Sequence, residues 1–367
     1  MKKIKSAQIQ KAKDTEEQPE YLKGRGAQIN TANKFLNSHK VIEHHEGIDE
    51  WGSEDERTSF IMSEARSIVN RVDSPDVGMM YSMNPYAGCE HGCIYCYARN
   101  AHEYWGYSAG LDFERKIIVK QNAPLLLRKF LMNPKWICEP ITMSGNTDCY
   151  QPCEKKFRLT RSMLEVCREF NQPVGMITKN AGMLRDMDIL KDMAEKNQVS
   201  IVVSLTTLNE DLRRQMEPRT TTSTQRLRLI EKLSEEGVRM GVMIGPVVPG
   251  LNDHEIPAIL KSASSAGASF SAYTFVRLNG SVQIMFKDWL YKNFPDRADK
   301  VWHSIQDGHG GKVNDSRFGL RMRGEGNNAE IINQQFKKYS KLFGLDKNRW
   351  DLNTAMFRRP GSQLDLF

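Results

Sequence analysis

A chain of 367 residues, 40% hydrophobic and 26% charged, can bury a large core and has the composition of an ordinary globular protein. Its formal charge of +7 mildly favours a polyanionic partner. No stretch approaches the roughly 18 apolar residues of a membrane helix, and the basic start Met1-Lys2-Lys3-Ile4-Lys5-Ser6 lacks the apolar run of a secretory signal. A cytoplasmic protein whose seven cysteines stay reduced is therefore expected.

Residues 1–75 are polar and poor in periodic apolar positions. Lys23-Gly24-Arg25-Gly26-Ala27 and His44-His45-Glu46 interrupt any regular pattern, so this arm is expected to be largely irregular, wrapped loosely on the folded core. His44 and His45 read as a solvated pair. From 76 to 280, strand-like segments at 78–84, 140–144, 173–178, 199–205, 238–244 and 270–276 alternate with helical patterns such as 160–171, 183–197, 224–236 and 254–266. Repeated β-then-α units predict a parallel sheet with helices outside. Six units fall short of the eight that close a full barrel. Beyond 280 the alternation stops; 282–293, 297–306 and 329–343 read as helices of an appended cap over 281–347, and 348–367 as a tail.

The first candidate strand runs into Asn84-Pro85-Tyr86-Ala87-Gly88-Cys89-Glu90-His91-Gly92-Cys93-Ile94-Tyr95-Cys96-Tyr97-Ala98-Arg99-Asn100. Cys89, Cys93 and Cys96, spaced C-x3-C-x2-C, crowd three soft thiolates onto one loop. A complete cubane shell needs four thiolates. Three therefore leave one iron free, and the expected centre is a [4Fe–4S] cluster whose open iron chelates S-adenosylmethionine (SAM). A structural zinc knot completed by His91 is the alternative.

The C-x3-C-x-aromatic-C spacing resembles the signature of the radical SAM superfamily, and Gly88-Cys89…Tyr95-Cys96-Tyr97 is similar to its spore photoproduct lyase-related branch. The resemblance implies a partial (β/α)6 TIM-type barrel with its site at the carboxyl ends of the strands. It also implies reductive cleavage of SAM to a 5′-deoxyadenosyl radical that abstracts hydrogen from a substrate. Around SAM it implies a segment after the second strand, Ser144-Gly145-Asn146, for the amino group, Lys179 for the carboxylate, and Ser204. The backbone of 241–250 is expected against the adenine. Tyr95 and Tyr97 match the tyrosines that relay a radical back towards SAM. Gly145 falls nearest the hydrogen-donating cysteine of the lyases, so Cys149 is expected as donor, with Cys153 the other choice. Cys138 and Cys167, in apolar contexts, are expected in the core. In the segment 217–227, Glu217 and Arg226 are expected to pair and Ser223 to cap a helix.

The chain ends Gln363-Leu364-Asp365-Leu366-Phe367, which resembles the pentapeptide that binds the bacterial β sliding clamp. Arg317, Arg321 and Arg323 form a local basic cluster suited to phosphate, or paired with Asp315 and Glu325. The expectation is a radical SAM enzyme repairing or modifying DNA, recruited by the clamp and fed electrons by a flavodoxin or ferredoxin. Its alternatives are a radical SAM enzyme acting on RNA or a peptide, and a non-catalytic redox-sensing iron–sulfur protein.

Overall fold

The computed structural model describes residues 22–35, 57–346 and 351–361. In chain order, β1 (Ser59–Ser63), β2 (Val69–Arg71), β3 (Tyr81–Met83) and β4 (Tyr86–Ala87) precede the triple-cysteine loop. A 3-10 segment (Tyr97–Trp105), α1 (Leu111–Arg115), β5 (Lys116–Lys120) and α2 (Ala123–Leu131) follow it. Then come β6 (Ile141–Met143), α3 (Glu154–Phe157), α4 (Leu159–Phe170), β7 (Val174–Thr178), α5 (Met187–Glu195) and β8 (Val199–Ser204). The alternation closes with α6 (Glu210–Met216), α7 (Ser223–Glu235), β9 (Arg239–Val247), α8 (Ile256–Ser265) and β10 (Phe270–Phe275). Three more helices, α9 (Val282–Asn293), α10 (Ala298–Asp307) and α11 (Gly326–Leu342), form the C-terminal extension.

β3, β6, β7, β8, β9 and β10 pair in parallel in that order, and β2 adds an antiparallel edge beside β3. This is the partial six-stranded barrel the alternation predicts. Its pattern follows from burial on both faces: every residue of β8, Val-Ser-Ile-Val-Val-Ser, is buried. Outside, α4 turns Thr160, Met163, Leu164, Cys167 and Phe170 inward at helical spacing.

Three features stand outside the six-stranded barrel. A second sheet, β1-β5-β4, lies beside the barrel, with β1 parallel and β4 antiparallel to β5. Part of the N-terminal arm is packed: Arg25, Gly26, Ala27 and Gln28 are buried. Residues 351–361 do not hang free as part of a tail. The Asn353 amide donates to the Asn197 carbonyl at 2.8 Å, and the Arg359 guanidinium donates to the carbonyls of Leu131, Asn133 and Trp136. Backbone bonds and an arginine fork fasten a stretch whose composition reads as loop. His44, His45 and the terminal Gln363–Phe367 lie outside the described residues.

Candidate cofactor site at the barrel mouth

The triple-cysteine loop follows β3 and the short β4 at the carboxyl ends of the parallel strands, and local chemistry dictates its shape. Gly88 has φ +77°, and a Cβ there would stand 2.9 Å from the Lys116 carbonyl oxygen. Only glycine fits that approach. Past it the Cys89 amide donates to the Phe113 carbonyl at 2.8 Å. The loop is clamped from behind by a fully buried ion pair, Arg99 to Glu114 at 2.5 Å. Arg99 also donates to the carbonyls of Cys93 and Gly92, at 2.9 and 3.0 Å. Glu114 in turn accepts from the amides of Gly26 and Ala27 at 3.2 and 2.8 Å, which pins the arm against the loop. An arginine that spends its fork on loop carbonyls fixes backbone as well as charge.

In front, Glu217 is the hub. Its buried carboxylate accepts from the Tyr95 hydroxyl, from Thr206 at 2.6 Å and from Arg226 at 2.6 Å. Burial alone would raise its pKa; the charges of Arg226 and Lys179 outweigh that and hold it at about 2. Arg226 reaches on to the Ser204 carbonyl at 2.9 Å, tying the end of β8 to the loop. The expected pair of Glu217 and Arg226 is present. The helix cap is Thr222, whose hydroxyl accepts from the Gln225 amide; Ser223 sits inside the first turn and donates to the Thr207 carbonyl. Lys179, ending β7, holds its ammonium 5.8 Å from the centre of the Tyr95 ring. Burial pulls its pKa down, but Cys93 and Glu217 outweigh burial and raise it.

Asp148 joins the β6 exit to the same rim. It accepts from the Thr178 hydroxyl, from the Lys179 amide at 2.8 Å and from the Tyr150 amide at 2.8 Å, and His91 Nδ1 lies 3.4 Å away. Ser144 turns this exit at φ +73°, a conformation strained for a side-chain-bearing residue, while its hydroxyl accepts from the Cys149 amide at 2.9 Å. Across the rim the Tyr97 hydroxyl donates to the Gly145 carbonyl at 2.6 Å.

The donor set suits a cluster. All seven cysteines are free; Cys89 and Cys93 are buried and Cys96 half-buried. Burial pushes the Cys93 thiol up to about 12 and raises the Cys89 thiol too, so without a cation these two would hold their protons. A cationic centre is what displaces them. His91, the fourth ligand a zinc knot requires, faces Asp148 and Asn180, and burial lowers its pKa to about 4. Among the described residues no three His, Cys, Asp or Glu side chains are gathered to hold one metal ion. Three thiols on one loop suit three corners of a cubane whose fourth iron stays open.

The family model of the radical SAM superfamily matches residues 83–263. An uncharacterized protein of Mycobacterium tuberculosis is 32% identical over 238 residues, spanning 64% of this chain and 70% of that protein. The chain belongs to the radical SAM superfamily. An uncharacterized protein of Methanocaldococcus jannaschii is 28% identical over 245 residues, covering 67% of this chain and 87% of its own. Among solved structures, a mutant of spore photoproduct lyase superposes with a TM-score of 0.56 at 12% identity, covering 82% of this chain and 85% of the other. Spore photoproduct lyase complexed with dinucleoside spore photoproduct gives 0.52 at 13%, covering 77% and 79%. These likenesses establish a shared fold. As a radical SAM protein the chain uses a [4Fe–4S] cluster and SAM.

Most residues expected from sequence gather at this mouth: Cys89, Cys93, Cys96, Tyr95, Tyr97, Ser144, Gly145, Lys179 and Ser204, with Asn146 exposed on the rim. Cys149 is fully buried at the same β6 exit, its side chain engaging Ser144. Cys167 is buried in the core and Cys138 is half-buried. Cys153 is also buried, its thiol against the Glu90 carboxyl. Sequence reasoning missed Arg99, Glu114 and the convergence on Asp148. The basic cluster resolves into pairs: Arg317 bridges Asp315 and Glu325, and Arg321 holds Asp76, leaving Arg323 exposed. No described helix is long and apolar enough to cross a membrane.

Proposed function

We propose that this radical SAM enzyme acts on DNA, repairing a lesion or modifying a base, and that its C-terminal Gln363-Leu364-Asp365-Leu366-Phe367 recruits it to the sliding clamp. When bound and reduced, the cluster supplies one electron to the sulfonium of SAM and thereby a 5′-deoxyadenosyl radical for hydrogen abstraction. The protein's part is to bind, orient and shield. Cys89, Cys93 and Cys96 hold three corners of the cluster; Lys179 neutralises the SAM carboxylate, the exit Ser144-Gly145-Asn146 receives its amino group, and Ser204 flanks it. Tyr95, bonded to Glu217, and Tyr97, bonded to Gly145, line the path from cofactor to substrate.

The observation that carries the reading is the rigid three-thiol loop at the mouth of an open six-stranded barrel, a fold shared with a lyase that binds a dinucleoside photoproduct. The basic balance of the chain agrees with a polyanionic substrate. The test is SAM turnover by the reduced holoenzyme with ultraviolet-irradiated DNA, untreated DNA and RNA. Stimulation by damaged DNA alone is expected. Equal rates with all three, or stimulation by RNA, would sink the DNA reading.

A further inference from the structure

β10 leaves the barrel through Val276, Arg277 and Leu278. Arg277 is half-buried, and no carboxylate among the described residues lies within ion-pair reach of it; its hydrogen-bond contact is the Met322 thioether at 4.0 Å. Burial, then the neighbouring charge of Arg321, lowers its pKa; Tyr97 and Asp76 act more weakly in the other direction. Asp76 is already taken, by Arg321 and by the Gly319 amide at 2.6 Å. A guanidinium stays charged at any ordinary pH, so one that is half-desolvated without a counter-ion is a seat for an anion. The strand exit is bonded to the loop beyond it, Leu278 amide to Val313 carbonyl at 2.8 Å. The Asn100 side-chain carboxamide ties the same exit to the 3-10 segment that begins at Tyr97, its Nδ2 donating to the Asn279 carbonyl at 2.9 Å.

A carboxylate or a phosphate would satisfy Arg277. The choice between them comes from Phe318, 57% exposed, with the Arg321 guanidinium 4.3 Å over its ring. A ring held open beside an arginine serves a nucleic acid strand, whose bases stack while its backbone is neutralised. We propose that Arg277 seats a backbone phosphate of the substrate strand at the barrel mouth, beside Tyr97, with Phe318 as the face for a neighbouring base. This deepens the nucleic-acid reading of the site and rests on it.

The test uses the full-length, anaerobically reconstituted protein, a labelled single-stranded oligodeoxynucleotide and a salt series read by fluorescence anisotropy. SAM affinity is measured in parallel by equilibrium dialysis. Arg277→Gln is expected to weaken oligonucleotide binding about tenfold and to flatten the log Kd against log salt slope by about 0.7. Arg277→Lys keeps the charge and should keep the slope, while SAM affinity in Arg277→Gln stays within about twofold of the unsubstituted protein. Unchanged oligonucleotide affinity and slope in Arg277→Gln overturn the proposal. So does a loss confined to SAM, which would make the guanidinium a partner of the SAM carboxylate. An equal loss of slope in Arg277→Lys also counts against it, since charge alone would then not explain the contact. If the unsubstituted protein binds no oligonucleotide, the nucleic-acid reading fails too; binding that ignores Arg277 sinks this proposal only.

Discussion

Glu217 shows how one carboxylate organises the mouth. It takes hydrogen bonds from the cluster loop, through Tyr95, from Thr206 and from Arg226. Its pKa falls from an ordinary 4.5 to about 2 on folding. Its stabilisation is therefore complete above about pH 4.5 and is lost as pH falls towards 2. Glu217→Gln leaves Arg226 buried without its counter-charge and should destabilise the cluster-free protein by about 3 kcal/mol at neutral pH. Denaturant unfolding checks this. The gap to the parent should be flat above pH 5 and should close below about pH 4; a gap that widens on acidification would contradict the assignment. Lys179 belongs to the same scale. Replacing it with Met removes the one ammonium set against Tyr95 and should weaken SAM binding by about 10-fold to 100-fold, with iron content preserved. Loss of iron with SAM affinity intact would place Lys179 in the scaffold.

At the scale of elements, the cluster loop is held by segments that are remote in the chain. Gly26 approaches Gly92 so closely that a Cβ would stand 1.7 Å from the Gly92 carbonyl oxygen. Gly26→Ala must push the arm off the loop, at a cost of about 1–3 kcal/mol. The expected readout is faster bleaching of the visible absorbance by an iron chelator; a rate equal to the parent's would mean that the arm does not brace the cluster. These long-range contacts explain what could and could not be read from sequence. The six barrel strands announced themselves through short runs rich in β-branched residues such as 199–203, and α9 through its periodicity at 282–293, because local pattern and tertiary burial agree there. The motif at Cys89, Cys93 and Cys96 was equally legible. The sheet of β1, β5 and β4 was not, since a five-residue run such as Lys-Ile-Ile-Val-Lys carries no register of its own. Arg99 and Glu114, like Tyr95 and Glu217, meet only after folding, and single sequences hold no trace of such pairings.

For the whole molecule, an open barrel exposes the rim of its parallel strands, with the strand exit at Arg277 beside the end of the triple-cysteine loop at Tyr97. The proposed recruitment to the clamp belongs to this scale. A tethered pentapeptide raises the local concentration of the enzyme at DNA without altering its site. The full chain lacking residues 363–367 should lose binding to purified β clamp in a pull-down or by surface plasmon resonance, and the isolated tail peptide should compete with the full chain. Undiminished binding by the shortened chain would remove the clamp from the account. The central claim is that three thiols hold an iron–sulfur cluster that cleaves SAM. Its most direct test is chromatography of SAM products from the anaerobically reconstituted, dithionite-reduced protein beside its Cys96→Ser variant. The account predicts 5′-deoxyadenosine and methionine from the parent and neither from the variant; a zinc-bearing, colourless parent that leaves SAM intact would contradict it.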